Sequence, residues 1–169
     1  MARKALTQPY INVALGSVKA SDGTASTVPD FAPGDKINCD SGQYIYMQAN
    51  GAVSEGYIVK YVEGTYDADT VTTAESGSTA TNLAVCVTSG GLSDNQWGWF
   101  WRGLGSGEHV YLTTTISADT QITTHTVAGN GSTGGDPIHS LFSNASSGSG
   151  GLTLCRSSVL LCTNDTISN

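Results

Sequence analysis

Apolar and polar positions alternate with a period of two along almost the whole chain, the pattern of strands that bury one face. Residues 10–15 (YINVAL) form a first short strand. Residues 36–39 (KINC) and 43–48 (QYIYMQ) follow as strands separated by the turn formers Asp40, Ser41 and Gly42. Asn50 and Gly51 make a dipeptide that favours a tight hairpin turn, so residues 56–62 (GYIVKYV) are expected to return as the partner of 43–48. Residues 64–81, rich in Thr, Ala, Asp and Ser, read as a loop or an edge strand.

The second half has the same style. Residues 83–88 (LAVCVT) are a short, mostly apolar run followed by Ser and Gly, which predicts a buried strand. Residues 96–102 (QWGWFWR), 108–114 (EHVYLTT) and 120–127 (TQITTHTV) are further strands, and 103–107 (GLGSG) is expected to be a tight turn. Residues 129–151 are Gly- and Ser-rich, interrupted by Pro137, Ile138, Leu141 and Phe142, and 152–163 close the chain with one or two strands. No segment of ten residues or more carries a helical period. About ten short strands at regular spacing predict an all-β fold, a single small antiparallel sandwich or barrel. Residues 16–35 hold Gly, Ser, Asp, Pro29 and Pro33 and little apolar content. Residues 1–35 are therefore assigned to a strand and an extended N-terminal arm, and 36–169 to the sandwich or barrel domain.

Composition sharpens this. A chain of 169 residues can bury a real core. Charged residues are 12% of it, about half the usual ~25%. Its β-branched and aromatic content argues against disorder, and its poverty in charge hints at a surface that packs on neighbours. The net charge is −7, and the seven Lys and Arg are scattered, with no basic stripe for a phosphate backbone, so no nucleic acid is expected as a partner. Apolar runs such as 159–162 are far too short to span a bilayer, so no membrane partner is expected. Arg3 and Lys4 are followed by Thr7, Gln8 and Pro9 rather than an apolar run, which points to synthesis in a cytoplasm.

Candidate chemistry is sparse. Cys39, Cys86, Cys155 and Cys162 lack the short paired spacing of a zinc site and read as free thiols. The strand–helix elbow of a serine hydrolase is absent, and GLGSG lacks the Lys-Ser/Thr end of a phosphate loop. His109, His125 and His139 are isolated, and Asp67 and Asp69 lack the rest of a calcium loop. The four Glu (Glu55, Glu63, Glu75, Glu108) sit in no telling context for paired-carboxylate chemistry. Sequons begin at Asn130, Asn144 and Asn164 and read as accidental in so Ser/Thr-rich a chain. No catalytic, cofactor or metal residue is assigned, and no enzyme is expected.

The densest feature is Trp97, Trp99 and Trp101, whose spacing of two puts them on one face of a strand, with Gln96, Gly98, Phe100 and Arg102 on the other. Three readings are open: a core face with Gly98 making room opposite, an anchor patch for a protein partner, or a stacking platform for sugar. Phe31 in the arm joins the three tryptophans as a candidate partner-interface residue.

Residues 83–87 (LAVCV), 96–100 (QWGWF) and 110–114 (VYLTT), with the Gly-rich stretch 128–151 and the closing strand 152–162, resemble capsid decoration (cement or head-stabilising) proteins of tailed bacteriophages over residues 82–163. The chain departs from that pattern at Asn95, where Gly is expected, and in continuing the aromatic cluster to Trp101. The resemblance implies a virion structural protein on the outer surface of a capsid, a homotrimer that clamps major capsid protein subunits, with no catalytic residues to carry over. The alternatives are a carbohydrate-binding or adhesin-like β module, and a head-fibre or tail component of a virion.

Overall fold

The computed structural model describes residue 29 and residues 31–72, 81–88, 90–135, 137–148 and 150–163. The expected strand at 10–15 and most of the arm lie outside the described residues. Twelve strands are present among the described residues. The first six are β1 (Lys36–Cys39), β2 (Gly42–Ala49), β3 (Ile58–Tyr61), β4 (Asp67–Thr70), β5 (Thr81–Cys86) and β6 (Trp97–Trp101). The second six are β7 (Gly103–Leu112), β8 (Gln121–Thr124), β9 (Gly131–Ser132), β10 (Pro137–Ser143), β11 (Gly151–Leu160) and β12 (Cys162–Thr163).

Their pairings close two rings. In the first, β2 pairs with β4, β4 with β3, β3 with β5, β5 with β6, and β6 back with β2. In the second, β7 pairs with β11, β11 with β10, β10 with β8, β8 with β9, and β9 with β7. β1 is a hairpin strand on β2, and β12 bridges β5 to β10. The all-β sandwich-or-barrel expectation holds, but not as a purely antiparallel fold. The β2–β4 and β7–β9 pairings are parallel.

Period-two alternation decides which residues fill which space. Ile45, Met47 and Ala49 of β2 meet Val59 and Tyr61 of β3, Ala68 of β4, Ala84 and Cys86 of β5 and Phe100 of β6 in one buried cluster. The alternate residues, Tyr44, Tyr46, Ile58, Leu83, Val85 and the three tryptophans, join Val110, Leu112, Ile122, Leu141 and Cys155 of the second ring in a larger cluster. β6 is thus buried on both faces. The core reading of Gly98 follows directly, since a Cβ there would meet Leu92 Cδ1 and Thr88 Oγ1 at 2.9 Å.

Three local expectations are corrected. Asn50 and Gly51 do turn the chain, but β3 does not pair with β2. The turn opens a loop in which Val53 bridges Leu92, and β3 is placed between β4 and β5. Residues 103–107 are not a tight turn but the first half of β7, paired with β11. Their glycines let that strand press on other backbone: a Cβ at Gly105 would lie 2.1 Å from Ser41 O, and one at Gly107 would lie 1.6 Å from Cys155 O. The Asp67 and Asp69 segment is neither a loop nor a sheet edge. It is β4, with Ala68 turned into the first ring and neighbours on both sides.

Candidate interaction surface

The tryptophan stripe is interior. Trp97, Trp99 and Trp101 are 9%, 1% and 0% exposed, because the outer face of the first ring is the side on which the rest of the molecule packs. Trp101 donates its indole N–H to Ser41 O at 3.0 Å. Tyr46 stacks on Trp97 at 5.7 Å and tilts against Trp99 at 5.2 Å. Phe31 is half-buried in this group, 5.2 Å from the Tyr46 ring and 5.4 Å from that of Trp99. The four candidate residues are brought into one cluster, but it is a core in which the tryptophans present no platform to a sugar or a partner. What Phe31 does there is fasten the end of the arm. Gly34 N donates to Tyr46 O at 2.8 Å and Tyr46 N to Asp35 O at 2.9 Å, so the last arm residues run beside β2.

The exposed apolar surface lies elsewhere. Of the six exposed large hydrophobic side chains among the described residues, Leu104 (47%), Leu152 (43%), Leu154 (40%) and Leu160 (39%) are on β7 and β11, and Val62 and Val127 stand singly elsewhere. β11 is amphipathic in the unexpected sense: Leu152 and Leu154 face out, while Thr153, Cys155 and Ser157 face in. Opposite Leu152 and Leu154 in the register stand Tyr111 and His109 of β7. Toward the other end of β11 is a groove of about 380 Å³ lined by Leu104, Phe142, Arg156, Ser157 and Ser158 among others. The Arg156 guanidinium lies over the Phe142 ring at 6.0 Å, donates to Asn144 Oδ1 at 2.9 Å and pairs with Asp119 at 2.6 Å. Sequence reasoning missed this face because leucines are read as inward. The signal was the small, polar alternate set Thr153, Cys155 and Ser157, which fits a narrow ring interior better than three leucines would.

The remaining polar features are structural. Tyr44 donates its hydroxyl to the Glu108 carboxylate and shares a hydrogen bond with Ser41. Burial, then the Glu108 bond, pushes its pKa well up. Asp69 accepts from Asn50 Nδ2 at 2.7 Å. His125 Nδ1 accepts from Val127 N at 3.0 Å, and His109 is exposed. No group of three or more His, Cys, Asp or Glu is placed to hold a metal ion among the described residues. Asn130 is buried, and Asn144 is engaged on both sides of its amide, donating to Ser106 O and accepting from Arg156. Neither sequon asparagine is free for a glycan without losing those contacts. The sequon at Asn164 lies outside the described residues. All four cysteines are free thiols, Cys86 and Cys155 buried and Cys39 exposed. No helix is long and apolar enough to cross a membrane among the described residues.

Fold and surface together define a class: an all-β chain of two closed strand rings around continuous apolar cores, with a leucine-bearing sheet face. No family model matches the chain, and no curated protein matches it. The fold is similar to a solved structure described as the crystal structure of the head fiber gp8.5 N base in bacteriophage phi29. The match has 15% identity, covers 70% of this chain and 96% of that one, and has a TM-score of 0.49. A likeness of that degree carries no statement about what this chain does.

Proposed function

We propose that the chain is a structural protein of a tailed-phage virion, a homotrimer that sits on the outer surface of the capsid and binds major capsid protein subunits. The sequence resemblance over residues 82–163 suggests it, and one observation about the arm carries it furthest. Residues 1–28 hold Arg3, Lys4 and Lys19 against Asp22, a side-chain charge of +2, whereas residues 29–169 hold four cations against thirteen acids, a charge of −9. This oppositely charged segment joins the domain at a fixed point, where Phe31 is wedged against Tyr46 and Trp99. A segment with its own charge, joined to the domain beside Phe31, is suited to pair with a neighbour through backbone hydrogen bonds. The sugar-module reading loses its platform with the burial of the tryptophans.

The test is occupancy. Full-length protein should bind isolated heads lacking it at a fixed, symmetry-related copy number, and should not bind isolated tails. Removing residues 1–28, which keeps Phe31 in place, should leave cooperative melting intact while weakening head binding about tenfold or more, ~1.4 kcal/mol. Binding to tails in place of heads, or saturable binding to a glycan array, would overturn the reading. Unchanged occupancy after truncation would remove the arm from it.

A further inference from the structure

We propose that the outer face of β7 and β11 is the surface by which one copy of the chain meets the next, the leucine ridge of one seated in the groove of its neighbour. This rests on the trimeric part of the reading above and gives it a location.

β11 supplies the first argument. Leu152 and Leu154 point outward while Thr153, Cys155 and Ser157 point in. With Leu104 on β7 and Leu160 at the far end of β11, four of the six exposed large hydrophobic side chains among the described residues lie on these two strands.

Charge says what covers it. With a charge of −9 on residues 29–169, two copies repel wherever their acids face each other. This face is different. None of the residues lining the groove is acidic, and the charge that reaches it, Arg156, is neutralised by Asp119. Like copies can approach here with the Asp119 carboxylate already paired to Arg156.

Symmetry supplies the third argument. A three-fold ring is a head-to-tail assembly and needs two different, complementary patches on each subunit. The face has both. A ridge of Leu152 and Leu154 stands toward the start of β11, and the groove of about 380 Å³, lined by Leu104, Phe142, Arg156 and Ser158, lies toward its end.

The experiment uses full-length protein at micromolar concentration, with native mass spectrometry and sedimentation at low and high salt. The wild type should be trimeric, and its association should tighten with salt as repulsion between acidic surfaces is screened. Leu154→Glu on the ridge and Leu104→Glu in the groove should each weaken association about tenfold or more. Val127→Glu, at a residue 52% exposed and off this face, should not. Thermal melts of all three should match the wild type, and Leu154→Ser serves in place of any ridge variant that fails to fold. Mixing the ridge and groove variants should give pairs but no closed trimers, since each supplies one intact patch. A wild-type trimer that both glutamates leave unchanged overturns the proposed face. A monomer in solution and on heads overturns the trimeric reading itself.

Discussion

Replacing Gly98 by valine tests the packing inside the first ring. Gly98 lies on β6 opposite Met47, and its backbone is not in the left-handed region, so a side chain there meets a question of space alone. A Cβ would sit 2.9 Å from both Leu92 Cδ1 and Thr88 Oγ1 and 3.1 Å from Leu92 Cδ2. Two effects oppose each other. A β-branched residue in a strand is favoured over glycine by up to about 1 kcal/mol. Forcing extra carbons into a filled core costs about 1–3 kcal/mol. For alanine the two nearly cancel, because Leu92 can give by a few tenths of an ångström. For valine, two further carbons enter a space already full, and overpacking wins by about 2 kcal/mol. In a chain of this size that lowers the melting temperature by about 4–8 °C. Leu92 is 4% exposed, and Leu92→Ala alone should cost about 3 kcal/mol through the cavity it leaves. The two changes are complementary in shape, so the double variant should be about 1–2 kcal/mol more stable than the sum of the singles. Urea denaturation of the four proteins measures the cycle. Strict additivity, or a Gly98→Val protein as stable as the wild type, would refute the claim that Leu92 occupies the space opposite this glycine.

Two further outcomes follow from buried polar groups. In native protein a thiol reagent should reach Cys39 first, Cys162 more slowly, and Cys86 and Cys155 only on unfolding, with four labelled thiols in denaturant without reductant. Burial pushes the Cys86 thiol up to about 11 and the Cys155 thiol up to about 12, from an ordinary value of 9.0. Their contribution to stability is therefore complete below pH 9 and lost as pH climbs through 11 and then 12, so a melting temperature flat across that window contradicts it. Arg102 is 4% exposed, donates to Gln43 Oε1, lies over the Tyr61 ring at 5.6 Å and meets Glu63 at 3.5 Å. Arg102→Ala should cost about 2–3 kcal/mol through lost packing and hydrogen bonding, but Glu63→Gln less than about 1 kcal/mol because that carboxylate is half in water. Equal costs by chemical denaturation would show the ion pair, rather than the buried stem, to matter.

Periodicity carried most of the strand map, because alternation and burial are the same fact where one face of a strand is covered. It was silent where both faces are covered. On β6 the tryptophans look like a platform, and only the second-ring side chains clustered with them, with Leu92 behind Gly98, reveal a strand covered on both faces. Glycine misled in the opposite direction. Gly103, Gly105 and Gly107 carry the composition of a turn, yet they serve close approach of backbones, a use that depends on Ser41 and Cys155 distant in the sequence. Parallel pairing was equally hidden, since nothing in residues 67–70 says that β4 will lie along the end of β2. The candidate surface was illegible for a related reason. Which face of LTLCRSSVL turns inward is set by the width of the ring it closes, and hydrophobicity alone gives the reverse answer.

The two rings also set an order of assembly. β2 cannot be closed into its ring until β6, some fifty residues later, has been made. At that moment Tyr46, Trp97 and Trp99 form an aromatic wall still waiting for much of its cover. Leu161, about sixty residues on, belongs to the same buried cluster, and its backbone N–H bonds Arg102 O while its carbonyl accepts from Leu83 N. A nascent chain must therefore hold a sticky, unfinished face through the synthesis of about sixty more residues, and non-local closures of this kind fold in milliseconds to seconds rather than microseconds. Chaperones, or rapid capture by a sister chain, would find their substrate in that interval.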